Sequence, residues 1–265
     1  MFWHGAPLSR IECLSMASFV AHGHRVELHV YDPPQNLPKG VELIDAARVL
    51  PSRSMFRHRR TGSLGPFADW FRYRLLYARG GIWADTDVVC LQPLDYDDRV
   101  VFGRENSEFI NTAVLGLPAG HALAAWMADA CEEPNRIHPY DSWARRLRKL
   151  VRRQLLRNRR ERIRWGEYGP KGFTHAVRHF DLLNRAKPVE HFYPVPCDQW
   201  RRIFEGASLI FNTDSRTVHL WHAMMHGQPG FDKNAAFAVD SAFEVLCRRY
   251  GQNRLDSDNA TLSRS

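Results

Sequence analysis

Three pairs of aspartates stand two residues apart in this chain, Asp85/Asp87, Asp95/Asp97 and Asp256/Asp258. Carboxylates at that spacing can converge on one divalent cation. Hard oxygen ligands of this kind suit Mg²⁺ or Mn²⁺, ions that keep open positions for the phosphates of a substrate. Spacing alone does not choose among the three pairs, so their surroundings must. Asp256/Asp258 lies in a polar run at the C-terminal end, and Asp95-Tyr-Asp-Asp follows Pro93 in a turn-like segment, so both read as solvated loop acids. Asp85 and Asp87 instead close the run Ile82-Trp83-Ala84 that follows Gly80-Gly81. The carboxyl end of a strand is where an α/β sheet places a site.

The elements that must position these acids follow from periodicity and caps. A short strand at Met1 to Trp3 leads to a helix from Ser9, a capping residue, to His22, with Gly23 as its stop. Strands are expected at Arg25 to Tyr31, Val41 to Ile44 and Thr112 to Leu117. Helices are expected from Pro66 to the Gly80-Gly81 pair, Gly120 to Cys131, after Ser142, Phe173 to Phe180 and Ala235 to Tyr250. Strands alternating with helices predict a mainly parallel central sheet flanked by helices on both faces, an α/β class. No repeat and no linker interrupts the order, and residues 252–265 read as a flexible tail.

Composition agrees with one large folded unit. The chain has 265 residues, of which 44% are hydrophobic and 25% charged, enough for a substantial core. No run of eighteen apolar residues exists, which argues against a membrane-spanning helix. The opening residues lack a basic stretch followed by an apolar one, so the chain is expected to stay in the cytoplasm. Five cysteines, widely spaced and never in a CxxC pair, fit reduced thiols there.

The net charge of +8 is local: Arg145 to Arg164 carries eleven Lys/Arg against Glu161 alone, leaving the remainder near −2. Within this stretch Trp143, Leu147, Leu150, Val151 and Leu155 recur every three or four residues, as one apolar face of a helix requires. Such a helix either packs by its apolar stripe with a solvated basic face, or lies on anionic lipid, peripheral on the inner face of the membrane. Nucleic acid is not expected as a partner, since no RRM, KH or zinc-finger signature accompanies the charge. His219, His222 and His226 stand three and four apart, but Val218-His-Leu-Trp reads as a strand, which breaks the helical spacing a zinc site needs.

Residues 68–95, ADWFRYRLLYARGGIWADTDVVCLQPLD, resemble the central motif of DXD sugar-nucleotide glycosyltransferases. The relevant group is glycosyltransferase family 32 with its capsular-polysaccharide-synthesis and clostridial-glucosylating-toxin relatives. Asp69, Arg72, Leu76, Gly80, Gly81, Ile82, Asp85 and Asp87 all fall in register with that motif. Trp3-His-Gly, His29-Val-Tyr-Asp, Asn111-Thr-Ala-Val-Leu-Gly, Gly169-Pro170 and His219-Leu-Trp221 are similar to further family segments. The similarity is close over about the first 125 residues and patchy afterwards, and apart from Gly169-Pro170 the acceptor region, broadly residues 135 to 215, aligns with nothing in the family.

The resemblance implies a GT-A fold in one domain over residues 1–251, with a nucleotide-sugar-binding half (1–125). The acceptor half (126–251) would be an added helical region containing a basic helix at 142–164. It implies a retaining transfer of a hexose from a nucleotide diphosphate sugar, expected to be a UDP-sugar, to a glycan, glycolipid or other hydroxyl acceptor. Asp85 and Asp87 would be catalytic as ligands of Mn²⁺ or Mg²⁺, with His219 either a third ligand or a structural histidine. Trp3 would stack on the base or be an ordinary core tryptophan. Asp69 and Arg72 would reach the sugar hydroxyls or only pair within their helix. Trp83 would pack the strand or shape the donor pocket. Asn111 would position the sugar or cap a strand edge, and Trp221 would help hold the leaving phosphate. A divalent-metal phosphohydrolase and a non-catalytic membrane- or nucleic-acid-binding effector module are the rival classes. The acceptor expected from the basic helix is a lipid-linked or envelope glycan, as in polysaccharide biosynthesis.

Overall fold

The expected alternation begins at once. In the computed structural model, which describes residues 1–251 except 6, 156, 207, 208, 210, 226 and 227, β1 (Phe2–Trp3) is followed by α1 (Arg10–Ala21), β2 (Val26–Val30) and β3 (Val41–Asp45). These strands form a parallel sheet in the order β1-β2-β3, with Phe2 opposite His29 and Trp3 opposite Val30. Helix α1 starts at a complete capping box in which Ser9 and Glu12 satisfy each other's backbone N–H groups.

Helix α2 (Gly65–Arg79) has proline in its first turn and ends at Gly80, whose φ of 67° and ψ of −161° turn the chain into β4 (Gly81–Ala84). A Cβ on Gly80 would lie 2.5 Å from the Ala119 nitrogen, so this close turn requires glycine. β5 (Val88–Cys90), β6 (Val101–Arg104), β7 (Ile110–Leu117) and α3 (Ala122–Glu132) follow. The second half supplies α4 (Trp143–Leu155), α5 (Pro170–His179), α6 (Val189–Phe192), β8 (Thr217–His219), α7 (His222–Met225) and α8 (Ala242–Arg249).

The α/β class holds, and among the described strands parallel ladders occur in the first sheet, with one isolated parallel bridge between Gly103 of β6 and Lys187. β4-β7-β6 and β5-β8 are antiparallel. β6 and β7 are joined by residues 105–109, too few for the crossover that parallel strands need. Two further expectations differ. The helix expected over 142–164 ends at Leu155, and Arg157 and Asn158 take left-handed φ values of 54° and 51°, which breaks it. The last helix begins at Ala242, capped by Ser241, rather than at Ala235, because Phe237 packs onto Phe204 and Phe243 from a non-helical segment. The expected tail lies outside the described residues, as do Asp256, Asp258 and His226. Among the described residues no helix is long and apolar enough to cross a membrane.

Two apolar cores result. One joins Ile11 and Leu14 of α1, Leu28 of β2, Val88 and Val89 of β5, Val218 of β8 and Phe243 of α8. The other joins Phe67 and Phe71 of α2, Trp83 of β4, Leu115 of β7, Leu123 of α3 and Phe173 of α5. The segment Asp85-Thr86-Asp87 crosses from one core to the other, since β4 belongs to the sheet of β7 while β5 pairs with β8.

Candidate active site

That crossing fixes both aspartates from the backbone outward. The Asp85 N–H donates to the Ala113 carbonyl of β7 at 2.8 Å, and the Val88 N–H donates back to the Asp85 carbonyl at 3.1 Å, closing a tight turn. On the other side the Leu220 N–H donates to the Asp87 carbonyl at 2.8 Å. Buried serines of α1 brace the same turn: Ser15 Oγ donates to the Val88 carbonyl at 2.6 Å, and Ser18 Oγ accepts from the Cys90 N–H at 2.8 Å.

The register of β8 sets His219 opposite Val88, which brings three sequence-distant groups together. One ligand atom each from Asp85, Asp87 and His219 lies within 4.8 Å of the others. His219 Nε2 is 3.1 Å from Asp87 Oδ2, and the His222 backbone N–H donates to that same oxygen at 2.8 Å. Burial opposes the charge on Asp87, but the neighbouring His219 and the His222 N–H overcome it and hold the carboxyl well below its usual range. Burial likewise opposes protonation of His219, and the Asp87 and Asp85 carboxylates reverse this and raise it.

Asp85 is held by two donors, Trp83 Nε1 at 2.6 Å and Arg72 Nη2 at 2.6 Å. Both land on Oδ1. Arg72 also donates through Nη1 to Asp69 at 2.8 Å and to the Thr112 hydroxyl, while its guanidinium lies 5.0 Å over the Trp83 ring. The pair within α2 is therefore real, and it extends across the sheet to the Asp85–Asp87 turn. Burial pushes the Asp69 carboxyl up to about 6; Arg72 offsets this in part, and Asp85 adds like charge.

The other expected residues fall into two sets. Trp3 is half-buried at the edge of the first core with Lys233 Nζ 5.8 Å over its ring. Trp83 is buried and supports Asp85. Asn111 and Trp221 spend their polar atoms inside the protein. Asn111 accepts from the Ala113 N–H and donates to Glu105, beside the bulge at Phe102/Gly103, so it acts as the strand cap. Trp221, at a left-handed φ of 60°, donates to the Val195 carbonyl and sets its ring 4.1 Å from that of His219, bracing the histidine. His222 begins α7 and serves through its backbone. Thr112, Ser15 and the His222 N–H carry no sequence signal of their own; only the folded register reveals them.

The donor set fits a divalent cation. The two carboxylates suit Mn²⁺ or Mg²⁺, and the imidazole suits a transition ion such as Mn²⁺ better than Mg²⁺. His219 Nδ1 and Arg72 Nε are buried with no hydrogen-bond partner among the described residues, so the site keeps unspent polar capacity.

Comparison with known proteins gives the same reading from both halves. Residues 55–107 match the family model "Glycosyltransferase sugar-binding region containing DXD motif", and residues 156–252 match "Alpha 1,4-glycosyltransferase conserved region". Among curated proteins, the chain is 22% identical over 197 residues to human alpha-1,4-N-acetylglucosaminyltransferase, covering 69% of this chain and 50% of that protein. It is 25% identical over 176 residues to lactosylceramide 4-alpha-galactosyltransferase of Rattus norvegicus, covering 60% and 41% respectively. The chain thus spans about half the length of these relatives. Among solved structures, PaToxG glycosyltransferase aligns with a TM-score of 0.42 and 14% identity over 69% of this chain and 71% of that one. The second match reaches much of the stretch that resists alignment by motif. Asp85 and Asp87 come from the first matched region and His219 from the second, so the two stretches that are similar to glycosyltransferases meet in one cluster.

Proposed function

We propose that this chain, on a GT-A-type fold, transfers a hexosyl or N-acetylhexosaminyl group from a UDP-sugar to a hydroxyl of a glycan or glycolipid, with an α-1,4 linkage and retention at the anomeric carbon. The observation that carries the reading is the cluster of Asp85, Asp87 and His219 within 4.8 Å. The linkage and acceptor class draw support from the names of the curated relatives, one of which acts on lactosylceramide. UDP-hexoses are α-linked, so an α-linked product means retention.

Asp85, Asp87 and His219 would hold Mn²⁺ or Mg²⁺. Such an ion supplies positive charge against the departing diphosphate. The protein's own share is preorganisation. Trp83 and Arg72 orient Asp85 through Oδ1, and the His222 N–H and the β8 register orient Asp87. Arg72 ties this turn to Asp69 on α2, and Asp69 is the group we assign to the donor sugar hydroxyls. Trp3, at the carboxyl end of β1, is assigned to the uracil ring. The leaving phosphate accepts the acceptor proton, so no enzymic base is needed. Residues 1–125 then form the donor half and residues 126–251 the acceptor half.

The test is turnover of a UDP-sugar panel with lactosides as acceptor, followed by NMR of the product. An α-linked disaccharide extension that stops with EDTA and returns with Mn²⁺ supports the reading. Sugar release that ignores the acceptor would instead indicate a phosphohydrolase-like activity.

A further inference from the structure

The helix α4 is turned against the usual rule. Its apolar residues Trp143, Leu147, Leu150, Val151 and Leu155 cover an arc of roughly 140° at 100° per residue, and all five are exposed, at 79%, 54%, 43%, 44% and 75%. The face that meets the protein is basic. Lys149 is buried and donates to Asp141 Oδ2 at 2.7 Å and to the Arg136 carbonyl at 2.8 Å. Arg145 lies 3.5 Å from the other oxygen of Asp141, and Arg152 lies 3.7 Å from Glu167. Farther along, Arg160 stacks 4.3 Å over Trp70 and donates to the Glu132 carbonyl. Arg145, Lys149 and Arg152 thus fasten the helix from its inner face.

Arg146, Arg148 and Arg153 remain exposed, Arg146 donating to the Asp141 carbonyl at 3.0 Å and Arg148 to the Ala144 carbonyl at 3.3 Å. By the same helical period Arg148 flanks the apolar arc on one side, and Arg146 and Arg153 flank it on the other. An apolar strip bordered on both sides by guanidinium groups on flexible stems matches the boundary of an anionic bilayer, where the strip enters the acyl region and the stems reach up to phosphates. A water-facing stripe of this size has no other partner among the described residues, and the charge beside it selects an anionic one.

We propose that α4 is a membrane-docking face, with Trp143, Leu147, Leu150, Val151 and Leu155 inserting into an anionic lipid surface and Arg146, Arg148 and Arg153 engaging its phosphates. The proposal is independent of the transfer reaction, because docking is read without turnover.

The test is co-sedimentation of the full chain with vesicles of phosphatidylcholine containing phosphatidylserine, and with phosphatidylcholine alone. Three proteins are compared: wild type, L147Q/L150Q/V151Q and R146Q/R153Q. The wild type is expected to bind the anionic vesicles and to release as salt rises. The apolar triple variant is expected to lose about tenfold or more in partitioning while keeping its thermal midpoint, because the replaced side chains already face water. The arginine variant is expected to lose affinity for anionic vesicles and much of the salt dependence. Absence of wild-type binding, or unchanged partitioning of both variants, would overturn the proposal. So would a wild-type dimer that the triple variant turns into a monomer without any vesicle binding, since the stripe would then be a self-association face. A lowered midpoint in the triple variant would overturn it too, by showing that the stripe packs on this protein.

Discussion

Arg72 and Lys149 are both basic side chains taken almost wholly out of water, with side-chain exposures of 4% and 5%, and each is paired with aspartate. Their surroundings differ in one respect. Arg72 ends on Asp85, which keeps 29% of its side chain exposed, whereas Lys149 ends on Asp141, which keeps none. A buried cation that reaches a half-open carboxylate orients a group that still faces a ligand; one that reaches a closed carboxylate only anchors an element. The first arrangement makes a site and the second fixes a helix, so a buried ion pair alone does not mark function.

The comparison breaks most visibly at the open end. Asp87→Ala removes one of the two carboxylates proposed to hold the cation and leaves His219 and the His222 N–H without their acceptor. Transfer from a UDP-sugar should fall by about three orders of magnitude, with several kcal/mol of transition-state stabilisation lost. Steady-state rates with and without Mn²⁺ check this. Arg72→Met strips the countercharge from Asp69 and Asp85 together and should cost about 3–5 kcal/mol of stability, measured by urea unfolding. Arg72→Lys should rescue only part of it, because one ammonium lacks the planar fork that reaches Asp69, Thr112 and Asp85 at once. Lys149→Met, at the closed end, should cost about 3 kcal/mol and raise amide exchange in α4, with nucleotide binding unchanged.

The sequence made the open end far more legible than the closed one. Asp85, Asp87 and the glycine pair are local signals: a strand end, a tight turn and a spacing. The partnership of Asp69 with Arg72 follows from one helical turn. From sequence His219 carries two readings, ligand or structural histidine, and its 3.1 Å approach to Asp87 comes only from the β5-β8 register. Asn111 and Trp221 looked available by type, yet their polar atoms are consumed by Glu105, Ala113 and Val195, which only tertiary structure reveals. At α4 periodicity identified the start of the helix and its stripe, but it overran the end at Leu155 and could not say which face turns inward. That choice depends on Asp141 and Glu167, neither of which belongs to the helix. The parallel sheet was overextended for a similar reason, since alternation of elements does not disclose that the strands around the site pair in antiparallel fashion.

A gentler probe compares one histidine from each region. Burial is the main cause that lowers His29, packed on Phe71 near the site, and His138, stacked on Tyr140 near α4, from 6.5 to about 4. Each is neutral in the folded protein and takes up a proton more readily when unfolded. Their contribution is therefore fully present above pH 6.5 and is lost as pH falls toward 4. The thermal midpoint should drop across that window. His29→Gln and His138→Gln should each make the slope shallower by a similar amount.

The most direct measurement is thermal stabilisation by nucleotides, with and without Mn²⁺, in the wild type and in Asp85→Asn/Asp87→Asn. UDP should raise the wild-type midpoint only when Mn²⁺ is present, and the double variant should show no rise. No stabilisation by any nucleoside diphosphate, or a metal-independent rise that survives in the double variant, would contradict a diphosphate-binding metal site on these two aspartates.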